Sequence, residues 1–229
     1  MSLRAILLDI EGTTTPIAFV HDVLFTYARD HVREFLAEHP NAEEIALLRE
    51  ERAGDVSDAP SVTDQIESIA AYVEWLISID RKSTGLKSLQ GKIWRQGYRE
   101  GSLKSQVFAD VKPAFARWRE RGLRIAIFSS GSVLAQQLLF AHTEVGDLTP
   151  FIDSYFDTKV GKKADAQSYR RIAEEMRLSP QEILFISDVV GELEAASAAG
   201  MKTLLSIREG NAKQENVELY NSVEKFDLI

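Results

Sequence analysis

The chain begins with an apolar run, LRAILLDI over residues 3–10, that is short, rich in branched side chains and soon ended by Gly12. This is the pattern of a buried strand. One position breaks it. Asp9 stands almost at the end of the run, and Glu11, Gly12 and three threonines follow directly. A carboxylate inside an apolar strand is costly unless something pairs with it. The pattern therefore predicts a strand and, at its end, a partner for two acids.

Beyond this point the period changes. Phe19, Val20, Val23, Leu24, Tyr27, Val32, Phe35 and Leu36 recur at helical spacing among charged residues, which predicts a helix from 19 to about 38. Further helices are expected over about 42–52, from near Ser61 through Leu76 with Ser61 or Asp64 as cap, and over about 85–98. The loop GDVSDAPS separates the first two of these three. No strand interrupts the block. Alternation then resumes, with Pro113 in the first turn of a helix that ends near Arg121 and Gly122 suited to its C-cap. Strands are expected at 123–128, within FIDSYFDTKVGKK, at 183–187 and at KTLLSI, with helices over about 133–142, 166–176 and 192–199 between them. The tail from Arg208 onward is charged and carries no assigned element. Strands alternating with such helices imply right-handed crossovers and a mostly parallel sheet. The expected architecture is a Rossmann-like α/β core from residues 1–16 and 101–229, with an all-helical insert over 17–100 that reads as a lid.

Composition narrows the partners. At 229 residues and 45% hydrophobic, the chain is long enough for one large domain or a domain with an insert. Its net charge of -8 argues against nucleic acid, whose phosphates need a basic surface. The absence of cysteine removes disulfides, thiolate nucleophiles and sulfur metal sites. The four histidines, His21, His31, His39 and His142, form no ligand cluster, so zinc is not expected. No stretch has the continuous apolar length of a signal peptide or a membrane span, so the expected setting is cytoplasmic.

Ligands of open parallel sheets bind beyond the carboxyl ends of the strands. Four strand ends here carry polar residues: Asp9 and Glu11; Ser129, Ser130 and Gly131; Lys162 and Lys163; Asp188 with Glu192. Taken singly, each has a plain reading as a turn, a solvated charge or a helix-terminal acid. Together they are complementary. Asp9 and Asp188 offer hard oxygen ligands of the kind magnesium takes. The serines and nearby N–H groups can donate to phosphate oxygens, and a lysine can meet the same phosphate. A cation and a lysine beside Asp9 would keep it charged and nucleophilic.

These motifs carry a family resemblance. DIEGTTTPIAFVHD, FSSGSV, YFDTKVGKKADAQSYRRIA and FISDVVGELEAASAAG resemble the haloacid-dehalogenase-like hydrolases, and most closely their enolase-phosphatase branch, over nearly the whole chain. The resemblance implies a haloacid-dehalogenase-type core with a helical cap. It implies Asp9 as the nucleophile that forms an aspartyl phosphate and Glu11 as acid/base with its carbonyl on Mg(2+). Ser129, Ser130 and Gly131 are implied to bind phosphate, Lys163 rather than Lys162 to be the motif lysine, Asp188 to be a metal acid and Glu192 a supporting acid. The implied substrate is a small phosphorylated diketone, and the implied state a monomer. Glu11 stands where most phosphatases of the superfamily have Asp, a departure the enolase-phosphatases share. A simple phosphatase uses the same residues; a dehalogenase would not need Asp188; a phospho-receiver domain would be smaller and lack the helical block.

Overall fold

A computed structural model of the chain describes residues 2–56, 58–79, 81, 83–215 and 217–229. Ser57, inside the expected GDVSDAPS loop, lies outside them. The chain divides into two compact units, Met1–Val20 with Lys104–Ile229, and His21–Leu103.

The larger unit is a six-stranded parallel sheet in the order β3-β2-β1-β4-β5-β6. Its strands are β1 (Ala5–Leu8), β2 (Arg124–Phe128), β3 (Ser154–Phe156), β4 (Ile183–Ser187), β5 (Lys202–Ser206) and β6 (Ser222–Val223). β1 lies between β2 and β4, with Leu8 opposite Ile127 on one side and Ile186 on the other. Helices cover both faces, so β1 reads as an unbroken apolar run and all four of its residues are fully buried. The helices are α5 (Val111–Glu120), α6 (Val133–Ala141), α7 (Ala166–Met176) and α8 (Val190–Ala198).

Side-chain alternation divides the core in two. Ala5, Leu7, Ala126, Phe128, Ile183 and Phe185 share a cluster with Tyr169 and Ile172 of α7 and Leu193 of α8. On the opposite face α5 packs on β2, and the rings of Phe115, Trp118, Phe140 and Phe226 form a chain of aromatic contacts. Because successive residues of a strand point to opposite faces, Asp9 and Ser187 fall on the α7/α8 side, in phase with Leu7 and Phe185.

The second unit is all helical: α1 (Thr26–Glu38), α2 (Glu43–Ala53), α3 (Ile66–Ser78) and α4 (Thr84–Glu100). α1 packs on α3 and α4, and α2 on α4, around Val32, Leu36, Leu48, Val73, Leu76 and Leu89. Two acids serve structure here. Glu44 is fully buried and bonds Lys92 and Ser88, while Glu51 accepts from the Thr84 and Gly85 N–H groups at the start of α4. Glu51 thus satisfies helix-terminal donors that would otherwise be orphaned.

Four expectations are corrected. Residues 19–38 are not one α-helix: Phe19–Phe25 is a π-helix that runs into α1. The Trp94 indole N–H donates to the Leu24 carbonyl at 2.8 Å, a partner outside the helix's own ladder. Neither Ser61 nor Asp64 caps α3. That helix begins at Ile66, Asp64 pairs with Arg49, and the Ser61 carbonyl accepts from Ser68. KTLLSI is not the last strand, since β6 extends the sheet edge from within the charged tail. α8 begins at Val190, so Glu192 lies in its first turn. Among the described residues no helix is long and apolar enough to cross a membrane.

Phe185 is fully buried at the centre of the α7/α8 face, where no water can replace its contacts. Phe185→Ala is expected to lower unfolding free energy by about 3–5 kcal/mol in denaturant titration. A loss below about 1 kcal/mol would show that this face is not close-packed.

Candidate active site

The site is built by the main chain that leaves β1. The Asp9 N–H still donates to the Ile186 carbonyl at 3.0 Å, so Asp9 remains in register with the sheet while its side chain stands at the carboxyl edge. The N–H groups of Thr13, Thr14 and Thr15 then turn back onto the Ile10 carbonyl, and the three threonines are fully buried. Gly12 has φ +64, and a Cβ there would lie 2.4 Å from Asp188 Oδ2. Conformation and space both demand glycine. The carboxylate that ends β4 thus lies directly against the backbone that follows Glu11.

Asp9 answers the question its position raised. Its Oδ1 accepts from the Ile10 N–H at 2.7 Å and pairs with Lys163 Nζ at 2.7 Å. Lys163 also pairs with Glu192 Oε2 at 2.7 Å, and the Ser187 hydroxyl donates to the same Glu192 oxygen at 2.9 Å. Lys163 arrives from the loop before α7 and Glu192 from the first turn of α8, the two helices on Asp9's side of the sheet. Its neighbour Lys162 is exposed. The Lys163 ammonium also sits 5.9 Å above the Phe128 ring. Among the described residues, Asp9 Oδ2 has only a 3.4 Å contact with Ser187 Oγ.

At the end of β2, Ser129 is buried and its N–H donates to the Phe156 carbonyl. Its Oγ accepts from the Gly131 N–H at 3.1 Å, so the hydroxyl hydrogen can be given elsewhere. α6 starts just beyond, where the Ser132 hydroxyl accepts from the Ala135 N–H and Asp157 from the Val133 N–H. Ser130 and Glu11 are half-buried. Glu11 forms a bridge with Thr15 across the turn.

Electrostatics bind these groups into one unit. Burial opposes the Lys163 ammonium, but the charges of Asp9 and Glu192 outweigh it and raise its pKa. Burial and the Asp9 charge push Asp188 up to about 7. Burial and Asp9 do the same to Glu192, against the pull of Lys163, to about 7. Three acids thus face one ammonium. Among the described residues no three His, Cys, Asp or Glu side chains form a ready metal cage. What the site offers is two buried carboxylates, Asp9 and Asp188, beside main-chain oxygens and an excess of negative charge. A hard cation that keeps part of its water shell, as magnesium does, fits that donor set.

Three groups of residues at this site were not legible in the sequence. Ser187, in phase with Phe185, fixes Glu192; its position beside Asp188 was the available signal. Gln136 of α6 donates to the Gly131 and Phe156 carbonyls, both at 2.8 Å, and holds the Ser-Ser-Gly loop. The third group, Ser206, Arg208 and Asn211, comes from the end of β5 and the charged tail, and donates to the carbonyls of Gly12 and Thr13.

Residues 3–200 match the family model of haloacid dehalogenase-like hydrolases. The chain belongs to that class, a Rossmann-like parallel sheet with an inserted helical cap. Enolase-phosphatase E1 of Synechococcus elongatus is 53% identical over 236 residues, covering 100% of this chain and 98% of that protein. Enolase-phosphatase E1 of Sorangium cellulosum is 48% identical over 227 residues, covering 99% and 97%. The crystal structure of the UTR4 protein from Saccharomyces cerevisiae superimposes with a TM-score of 0.83 at 34% identity, covering 100% of both chains. Within its class, the chain belongs to the enolase-phosphatase E1 family.

The raised carboxylates have a consequence for stability without metal. Asp188 and Glu192 hold protons up to about pH 7 when folded, but release them near their ordinary values of 3.8 and 4.5 when unfolded. Between those limits the folded state binds more protons, so stability falls as pH rises from about 4 to 7. The metal-free protein is expected to melt at lower temperature at pH 8 than at pH 5, with Asp188→Asn flattening the difference. Added magnesium should raise the melting temperature more at pH 8 than at pH 5. A metal-free melting temperature that climbs over this range, with the same slope in Asp188→Asn, would contradict the assignment.

Proposed function

We propose that this protein converts 2,3-diketo-5-methylthiopentyl-1-phosphate to the 1,2-dihydroxy-3-keto acireductone and phosphate, a step of methionine salvage, by enolisation followed by phosphoryl transfer through Asp9. The observation that carries this reading is the pairing at Asp9. Its Oδ1 is taken by the Ile10 N–H and Lys163, which leaves Oδ2 as the oxygen with a lone pair to offer.

In the first step Glu11 removes a proton from the phosphate-bearing carbon, and charge moves to the neighbouring carbonyl oxygen. Its carboxylate reaches further than the aspartate more common at that position. Asp9 Oδ2 then attacks phosphorus; the bond from phosphorus to the substrate oxygen breaks, and protonated Glu11 gives its proton to that departing oxygen. Ser129, the N–H groups of its loop and Lys163 hold the equatorial oxygens in place as charge spreads over them. Next, Glu11 takes a proton from water, the water oxygen bonds to phosphorus, and the bond to Asp9 breaks; Glu11 then releases that proton to solvent and the enolate oxygen takes one up, which restores the base and completes the dihydroxy product. Glu192 and Ser187 keep the Lys163 ammonium at its post between the two carboxylates. Asp9, Asp188 and the Glu11 carbonyl would hold magnesium, which when bound neutralises phosphate charge in the way carboxylates cannot.

The test gives the purified protein the diketo-phosphate and magnesium without oxygen, following enol absorbance and free phosphate together. Both signals should rise, and Asp9→Asn should cut phosphate release by at least about a thousand-fold, as loss of a nucleophile does. Phosphate release from simple esters with no turnover of the diketone would leave a phosphatase without the enolase half.

A further inference from the structure

Gly12 follows the proposed acid/base Glu11, and its conformation is not self-enforcing. With φ +64 and no side chain, it gains nothing from rotamer or steric preference, so its geometry must be imposed by neighbours. The hydroxyls of Thr13 and Thr15 are buried without a hydrogen-bond partner and lend the loop no side-chain bond of their own. The turn's own bonds run from the Gly12 N–H to the Thr15 carbonyl and from the Thr14 hydroxyl to the Asp9 and Ile10 carbonyls, which leaves the Gly12 carbonyl to be held from some 200 residues away. Asn211 Nδ2 donates to the Gly12 carbonyl at 3.0 Å and to the Ser206 carbonyl at 3.3 Å. The Ser206 hydroxyl donates to the same Gly12 carbonyl at 3.3 Å, and Arg208 Nε to the Thr13 carbonyl at 3.3 Å.

These donors are themselves anchored. Arg208 is buried, ion-paired with Asp110 at 2.9 Å, bonded to the Glu224 carbonyl at 2.6 Å, and held between the rings of Phe108 and Phe226. The other face of the turn carries Asp188 Oδ2, which lies 2.4 Å from the place of a Gly12 Cβ, with Asn211 Oδ1 at 2.8 Å from the same point. That Asn211 oxygen is buried and unpartnered. Asn211 thus gives its donor to the turn after Glu11, while its acceptor lies on the Asp188 side of the same turn.

We propose that Ser206, Arg208 and Asn211 form a clamp that fixes the peptide after Glu11, with Asn211 as the positioning residue that sets the aim of the Glu11 carboxyl and the Asp188 side of the turn. The inference rests on the acid/base role given to Glu11 above. Its physical content is that turnover depends on the Gly12 carbonyl being held from β5, because a displacement near 1 Å at a reacting group can cost about a hundred-fold in rate.

The experiment uses the full chain and two variants, Asn211→Ala at a half-buried position and the near-isosteric Ser206→Ala. Two readouts are taken: amide hydrogen exchange of the peptide spanning residues 9–15, and steady-state turnover of the diketo-phosphate. Asn211→Ala is expected to speed exchange across that peptide while leaving the β4 peptide unchanged. Its kcat should fall by about 10- to 100-fold with KM within about two-fold. Ser206→Ala, which removes the longer bond, should move both readouts in the same direction by less. A folded Asn211→Ala protein with unchanged exchange over residues 9–15, or with unchanged kcat, overturns the clamp. If the unmodified protein does not turn over the diketone, the functional reading fails separately, and exchange alone then decides whether the turn is held by Asn211.

Discussion

Everything at the carboxyl edge of this sheet depends on one buried ammonium. Lys163 lies between Asp9 and Glu192, 2.7 Å from each. Burying these charges singly would cost several kcal/mol each, and such a pairing is retained only if its members are mutually satisfied. The satisfaction is nearly complete. Asp9 takes a second donor from the Ile10 N–H, Glu192 takes the Ser187 hydroxyl, and the Lys163 carbonyl accepts from Tyr169. Asp188 stands outside the set, and burial together with the charge of Asp9 raises its pKa to about 7. The residual demand for positive charge is what suits the site to a magnesium ion.

The fold explains why these residues meet. Parallel strands bring their carboxyl ends to one edge, and β1, between β2 and β4, places Asp9 beside both Ser129 and Asp188. Alternation along the strands then sends Asp9 and Ser187 to the face covered by α7 and α8. Lys163 precedes one of those helices and Glu192 opens the other. A one-residue slip of β1 would turn Asp9 to the α5 face, among Phe115, Trp118 and Phe140, with no ammonium in reach. The register that buries Leu7 against Phe185 is thus the same register that assembles the site.

Much of this was legible in the chain. The apolar runs before Asp9, Ser129 and Asp188 marked three central strands, because strands covered on both faces show nearly continuous apolar sequence. That a lysine would pair with Asp9 followed from the need to compensate a buried acid, and the family resemblance chose Lys163 over Lys162. What could not be read depended on contacts distant along the chain. Within ILFISDVVGE the place of Ser187 beside Asp188 is the one signal that it would fix Glu192, and a serine in a strand is otherwise unremarkable. Arg208 and Asn211 sit in a charged tail whose local pattern predicts no element, yet β6 and the aromatic faces of Phe108 and Phe226 order it. The π-helix at Phe19–Phe25 was read as ordinary helix because its apolar spacing satisfies either period over seven residues.

The central claim is that Asp9 carries the phosphoryl group during turnover. The most direct test stops the reaction within one turnover, by acid for mass spectrometry and by borohydride for chemical reduction of any acyl phosphate. The account predicts a phosphorylated peptide containing Asp9 in the acid quench, and reduction at position 9 in the borohydride sample, both absent without substrate. Phosphate released at the full rate while the Asp9 peptide stays unmodified in both samples would contradict it.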